Sequence, residues 1–341
     1  MPSPYLYTHP VPPKSTTGVV AEVHAQITRD FGIDRAGPFM VLSSAPELFT
    51  ATWALLRESL LAGPGTRTGK EVAALGVSLA NRCAFCVDAH TLLLHATGDH
   101  RLGETVARGG IPENEHHARV LAWSKATRVP GAPELAQEPF PASEAPGYIG
   151  TVLAFHFINR IVSALLNESL LPADAQKYRL VRSVAGRTLS RAVRRTLTPG
   201  ESLAFVNSRA NGPGWAAGTP VGPAYAALGE AAAQGAGLLS EADQDLVRET
   251  VAAWDGTHPP LVWDGLPGRG RPGARLAVLA ALAPYRITGE DVAAWFEPPF
   301  TDHCLVHLIA YGAFLAVEHA EASLTAATAA TTATTSAEES A

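Results

Sequence analysis

Apolar residues recur at three- and four-residue spacing along most of the 341-residue chain. Such spacing puts them on one face of an α-helix. Several segments also carry helix boundary signals, for example Thr288-x-x-Asp291, which is predicted to cap a short helix. No segment shows the apolar–polar alternation that a half-buried β-strand requires. The sequence therefore predicts an all-α fold.

Stretches rich in proline and glycine interrupt this helical pattern and suggest a division of the chain. Residues 246–250 are similar to residues 55–59, which indicates two tandem helical units, the second degenerate because it has no cysteine pair. We predict an irregular arm over 1–17, a catalytic core over 18–128, a proline-rich linker over 129–147, helices packing on the core over 148–206, a second helical unit over 207–322, and a disordered Ala/Thr tail over 323–341.

The charge balance and the cysteine count exclude several classes of partner. The formal net charge of −6 gives no general attraction to nucleic acid or to anionic membranes. No stretch reaches the ~20 apolar residues of a membrane-spanning helix, and prolines stand where a signal peptide has an apolar run. Three cysteines without a disulfide framework fit a reducing compartment. We therefore expect a cytoplasmic protein without nucleic-acid or membrane partners.

Reactive groups concentrate between Glu71 and His90, a stretch that also contains Cys83 and Cys86. Positions i, i+3 and i+7 share one face of a helix, and Cys83, Cys86 and His90 have this spacing. The pair Asn81-Arg82 indicates a break in the helical pattern, so a new helix is predicted to start near Cys83. A helix N-terminus favours a thiolate. His90 follows Cys86 by one turn and can take its proton, while Glu71, on the preceding helix, can orient His90.

These residue types favour peroxide chemistry. A thiolate attacks the O–O bond and becomes a sulfenic acid, which a second thiol converts to a disulfide. We predict Cys86 as the peroxidatic cysteine, Cys83 as the resolving cysteine, His90 as general base and Glu71 as proton relay or orienter. An external dithiol then resets the pair. Three further residues are predicted to line the pocket: Phe85, His156 and Asn159.

Other interpretations of the same residues stay open. The cysteine pair can be structural, and Glu71 can serve as the N3 residue of a capping box that begins at Thr68. The enzyme-level rival is a general dithiol–disulfide oxidoreductase, and the other rival is a non-catalytic helical protein that senses redox state or binds zinc. The four candidate zinc ligands are Cys83, Cys86, His90 and either Glu71 or His95.

A second histidine cluster lies near the C-terminus. His303, Cys304 and His307 open a helix, but no carboxylate follows at a matching spacing. We therefore predict a structural or surface role for this cluster, and no metal site in the protein.

The stretch from Lys70-Glu71 through residues 77–81 to Cys83-x-x-Cys86-x-x-x-His90 resembles the carboxymuconolactone decarboxylase and alkylhydroperoxidase D superfamily. The resemblance is specific over residues 37–110. It implies an alkylhydroperoxidase D-like helical fold, no metal or organic cofactor, and a homo-oligomer. In the peroxidase branch the glutamate, both cysteines and the histidine form the relay and redox pair, so we expect a peroxide substrate and a dithiol reductant of protein or lipoyl type. One departure is Phe85, where alkylhydroperoxidase D has a histidine.

Overall fold

Helices account for all the regular secondary structure that the computed structural model describes, which covers residues 3–167, 179–208 and 210–338. Within these ranges the only β-type pairing is an isolated bridge between Tyr5 and Leu166. The all-α prediction is confirmed. The α-helices are α1 (Gly18–Phe31), α2 (Gly37–Leu42), α3 (Pro46–Leu56), α4 (Arg67–Ala80), α5 (Ala84–Thr97), α6 (His100–Ala107), α7 (Glu115–Ala126), α8 (Ala145–Leu165), α9 (Arg179–Val193), α10 (Val221–Ala233), α11 (Glu241–Ala252), α12 (Pro272–Leu282), α13 (Gly289–Trp295) and α14 (Asp302–Glu338).

Helix α8 lies at the centre of the protein. It is apolar on nearly every side, and all but one of its residues are buried, which is the composition of a helix surrounded by others. It packs against α3, α4 and α5 from the first half of the chain and against α10, α12 and α14 from the second. The two halves therefore share one hydrophobic core that has α8 at its middle.

Two helices within the described ranges are long and apolar enough to cross a membrane by length and composition alone. They are Ala145–Leu165 and Asp302–Ala327, and the sequence analysis had expected no such stretch. In the structure 94% and 72% of their most apolar windows are buried inside the protein. Burial of this extent is typical of core helices. Both helices are apolar because they pack in the shared core.

A sharp break separates α4 from α5 and determines where the cysteines lie. Helix α4 ends at Ala80, and Arg82 adopts a left-handed conformation with φ of 56°, which is uncommon for a residue with a side chain. Cys83 is then the N-cap residue of α5. Both the break and the new helix near Cys83 are predicted from the sequence, and both predictions are confirmed.

The start of α4 differs from the prediction. The side chain of Thr66, rather than that of Thr68, caps this helix, and its hydroxyl accepts a hydrogen bond from the Gly69 amide at 3.1 Å. Since the helix begins earlier than predicted, Glu71 lies beyond the first turn. Its carboxylate is fully buried and bonds to side chains of other residues. The interpretation of Glu71 as a capping residue is therefore wrong.

The C-terminal segment is helical for longer than expected. Helix α14 runs to Glu338, and Leu324 is buried in the core, whereas a disordered tail was predicted from residue 323. Alanine, which dominates this segment, has the highest intrinsic helix propensity. Residues 339–341 of the predicted tail lie outside the described ranges.

Candidate active site

Helices α4 and α5 bring Glu71 and His90 into direct contact. Nδ1 of His90 lies 2.6 Å from Oε2 of Glu71, and both side chains are buried. A carboxylate can only accept a hydrogen bond, so Nδ1 carries the proton and donates it. In the neutral imidazole, Nε2 is then the unprotonated nitrogen. This is the tautomer that a general base requires.

Arg67 holds the carboxylate of Glu71 from the other side. Its Nε donates to Oε1 of Glu71 at 2.7 Å, one helical turn away on α4. Burial raises the pKa of Glu71, but the positive charge of Arg67 and the hydrogen bond from His90 outweigh burial and leave this pKa below its usual value. Glu71 is therefore an anion at neutral pH. Arg67 was not predicted from the sequence, although its i, i+4 spacing from Glu71 is a usable signal.

The two cysteines of the pair are joined by a disulfide, so the structure contains the oxidised form. Their Cα atoms are 5.3 Å apart, within the ordinary range for a disulfide. Both residues are almost completely buried, with 2% of Cys83 and 3% of Cys86 exposed. Large protein surfaces therefore have little access to either sulfur.

Cys86 and His90 share the wall of one cavity of about 530 Å³. Phe85, which the sequence analysis predicted to line the pocket, is also in this wall. The remaining surface is largely apolar and includes Phe39, Leu92, Leu93, Phe155 and Ile158. Cys83 instead lines a second cavity of about 290 Å³, which shares Phe85 and Leu166 with the first. The two cysteines of the pair therefore line different cavities.

The other two predicted pocket residues do not line the cavity beside Cys86. Nε2 of His156 lies 2.8 Å from the hydroxyl of Thr127, and Oδ1 of Asn159 accepts a hydrogen bond from Ser78 at 3.2 Å. Both residues belong to a buried network between helices. The reason is helical phase: each follows a cavity-lining residue of α8 by one position, and one position rotates a side chain by about 100°.

His95 points away from the cysteine pair. Its Nε2 lies 3.0 Å from a carboxylate oxygen of Glu104 on α6, and its Nδ1 lies 2.8 Å from Nδ1 of His100. His95 is thus engaged elsewhere and does not complete a ligand set with the cysteines. In the disulfide form the two sulfurs also offer no thiolate to a metal ion.

The comparisons with known proteins agree with this site. The model of the carboxymuconolactone decarboxylase family matches residues 46–101, which include Glu71, both paired cysteines and His90. Over 321 residues the chain is 36% identical to the protein named alkyl hydroperoxide reductase Rv2159c from Mycobacterium tuberculosis (strain ATCC 25618 / H37Rv), an alignment that covers 91% of this chain and 92% of that relative. No solved structure matches the chain. The resemblance in the sequence is confirmed, and the chain belongs to the carboxymuconolactone decarboxylase family.

Proposed function

We propose that this protein is a thiol-dependent peroxidase that reduces alkyl hydroperoxides through the Cys83–Cys86 pair. One observation carries the proposal: Cys86 and His90 line the same apolar cavity, and the buried Glu71 fixes the tautomer of His90. The name of the mycobacterial relative, an alkyl hydroperoxide reductase, supports the same activity. The chemistry needs no metal or organic cofactor.

The reaction begins with the reduced pair. Nε2 of His90 takes the proton of the Cys86 thiol, and the ionised Glu71 stabilises the resulting imidazolium. The thiolate attacks the terminal oxygen of the hydroperoxide and breaks the O–O bond. Cys86 becomes a sulfenic acid, and the leaving alkoxide takes the proton from His90 and departs as an alcohol. The peroxide gains two electrons, which the sulfur of Cys86 supplies.

The second step closes the disulfide. The thiol of Cys83 attacks the sulfenic sulfur of Cys86, a molecule of water leaves, and the S–S bond forms. The pair then needs two electrons and two protons from an external dithiol. Because both sulfurs are buried, we propose a slender dithiol of the lipoyl type rather than the face of a large protein. The smaller cavity, which Cys83 lines and Cys86 does not, offers such a dithiol a place to approach Cys83.

A steady-state assay tests the proposed function. The full-length protein is supplied with a lipoyl-type dithiol and its recycling system, and consumption of an organic hydroperoxide is followed. We expect turnover that depends on both substrates. A rate that does not exceed the rate without protein contradicts the proposal, and disulfide exchange without peroxide consumption would identify a general dithiol oxidoreductase instead.

The apolar cavity predicts a preference among peroxides. A hydroperoxide with a bulky apolar group can displace water from this cavity, whereas hydrogen peroxide gains nothing from apolar walls. We expect kcat/KM to be higher for the organic substrate. Ala89 lines the cavity, and Ala89→Phe should lower kcat/KM for a bulky hydroperoxide by about tenfold or more, while the value for hydrogen peroxide changes little.

A matched variant separates this steric effect from a general loss of fold. Ala122 lies exposed on α7, and Ala122→Phe adds the same ring to another helix without reaching the cavity. It should leave both kcat/KM values unchanged. If Ala89→Phe lowers the rates with both peroxides equally, the cavity is not where the alkyl group binds.

Arg67 is expected to act through Glu71 rather than on the substrate. Arg67→Met removes the charge that offsets the burial of Glu71, so the carboxylate orients His90 less well. We expect kcat/KM to fall by roughly ten- to a hundredfold, the range seen when an orienting partner is lost. Arg67→Lys keeps the charge and should recover part of the rate. Equal losses in both variants would mean that the charge of Arg67 plays no part.

The assembly and the location of the protein are proposals that rest on the family resemblance and on the thiol chemistry. We propose a homo-oligomer in the cytoplasm, where a dithiol system can keep the pair reduced. Sedimentation of the purified protein tests the assembly. A monomer at micromolar concentration contradicts this part of the proposal.

A further inference from the structure

A second group of reactive side chains lies on α3 and α14, away from the peroxide cavity. It consists of Glu47, His303 and His307, and one candidate ligand atom from each lies within 4.8 Å of the other two. None of the three residues lines the cavity that Cys86 shares with His90. In the described part of the chain this is the only such group of three or more.

The two histidines occupy positions i and i+4 of α14 and so share one face of the helix. A single oxygen of Glu47 faces both rings: its Oε1 lies 2.6 Å from Nε2 of His307 and 3.4 Å from Nε2 of His303. The sequence predicted no metal at these histidines because no carboxylate follows them at a matching spacing. The fold supplies one from α3.

The contact between His303 and Ser44 indicates that a positive charge, either a proton or a metal ion, belongs between these groups. Its Nδ1 lies 3.2 Å from the carbonyl oxygen of Ser44, which can only accept a hydrogen bond, so Nδ1 is the protonated nitrogen. In the neutral ring, Nε2 then directs a lone pair at the carboxylate of Glu47. Two electron-rich atoms repel at this distance unless a proton or a metal cation lies between them. Histidine ligands of metals are commonly held in this way, with the other ring nitrogen donating to a carbonyl.

We propose that Glu47, His303 and His307 form a binding site for a divalent transition-metal ion of the zinc type. Two imidazoles and one carboxylate are an established ligand set for zinc, with one position left open. Zinc–ligand bonds of about 2.0–2.2 Å in a tetrahedron separate the ligand atoms by about 3.3 Å. The contact between Glu47 and His303 already has this length. The contact between Glu47 and His307 must lengthen by about 0.7 Å, which side-chain rotation of the half-exposed Glu47 can supply.

The surroundings suit an ion that enters from solvent. The side chains of His303 and Glu47 are 46% and 32% exposed, while that of His307 is only 4% exposed. The buried histidine provides a fixed ligand, and the two exposed groups provide an entrance and an open coordination position. The ion would connect α3, in the family-matched segment, to α14, in the second half of the chain. This role is independent of the proposed peroxidase chemistry.

The test is binding of Zn²⁺ to the chelator-stripped protein, measured by calorimetry with Cys83 and Cys86 kept in the disulfide form so that they cannot bind the ion. We expect one equivalent to bind and to raise the melting temperature. His303→Gln should weaken binding by more than about a hundredfold and abolish the rise in melting temperature. His116→Gln alters another surface histidine, which lies beside His117 on α7, and should change neither value. Peroxidase activity should be the same in all three proteins.

Spectra of the wild-type protein with Co²⁺ provide a second measurement that needs no variant. We expect the visible bands of a tetrahedral ion without a thiolate charge-transfer band, because the ligands are nitrogen and oxygen. The proposal is overturned if the wild-type protein binds no Zn²⁺, if His303→Gln binds it as tightly as wild type, or if the cobalt spectrum shows thiolate ligation. If the wild-type protein binds no Zn²⁺, a proton rather than a metal ion lies between His303 and Glu47.

Discussion

Cys86→Ser is expected to lower the rate of hydroperoxide reduction by more than about a thousandfold, to the background rate. The physical reason is that the serine hydroxyl is a far weaker acid and nucleophile than the thiol, so no thiolate forms to attack the O–O bond. The substitution is nearly isosteric in a buried position, and the fold should persist. Consumption of an organic hydroperoxide with a dithiol reductant measures the loss.

Two further cysteine variants test which cysteine attacks the peroxide and which one resolves the sulfenic acid. Cys304→Ser alters the one free cysteine, on α14, and should leave the rate unchanged. Cys83→Ser keeps the attacking thiol but removes the resolving one. One equivalent of peroxide is then consumed, and a sulfenic acid persists on Cys86 that a sulfenic-acid reagent can trap. If Cys83→Ser loses the first turnover and Cys86→Ser keeps it, the two cysteines have the opposite roles.

Glu71→Gln is expected to lower the rate of the first oxidation step at neutral pH by roughly a hundredfold or more, within the range for loss of acid–base catalysis. Glutamine matches the shape of glutamate but carries no charge, so the imidazolium of His90 loses the anion 2.6 Å away. A smaller fraction of Cys86 is then ionised. The rate constant for reaction of the reduced protein with peroxide, measured in rapid-mixing experiments, reports this fraction.

The pH dependence distinguishes this role from a structural one. The pKa of Glu71 is held below its usual value, so in the wild-type protein this carboxylate stays ionised until the pH falls below about 4.3, the ordinary value for glutamate. In Glu71→Gln, higher pH should restore the rate, because a cysteine ionises without help as the pH approaches about 8.5. A loss that is the same at pH 7 and pH 9 would contradict a proton-relay role for Glu71.

The ion pair between Arg67 and Glu71 also predicts how acid affects the stability of the fold. Because the folded protein lowers the pKa of Glu71, the carboxylate contributes stability above the pKa that it has in the unfolded chain. That contribution decreases as the pH falls through the lower, folded-state value. Protonation leaves the guanidinium of Arg67 without its buried partner.

Local sequence patterns predicted which residues the candidate site brings together. Helical periodicity identified the fold class, and the weak helix former Asn81 together with Arg82 marked the break that exposes the N-terminus of α5. The cluster between Glu71 and His90 followed from spacing alone. These features depend on residues within a few helical turns of one another, where sequence separation determines distance.

The features that sequence reasoning missed depend on helix phase or on distant contacts. The structure caps α4 with Thr66, whereas the sequence prediction placed a capping box at Thr68. That error gave Glu71 a capping position and left its partner Arg67 unidentified. The polar side chains of α8 were assigned to the cavity, but the neighbouring Phe155 and Ile158 face it. Glu47 meets a histidine 260 residues away in the chain, a contact that only the packing of α3 and α14 creates.

Intact-protein mass spectrometry of the fully reduced protein after one equivalent of an organic hydroperoxide tests the central claim most directly. We predict a loss of two hydrogen atoms, one equivalent of alcohol, and a peptide map in which the new disulfide joins Cys83 to Cys86. Cys86→Ser should show none of these changes. An unchanged mass, a lasting gain of oxygen on another residue, or a disulfide that includes Cys304 would contradict the peroxidase assignment of this pair.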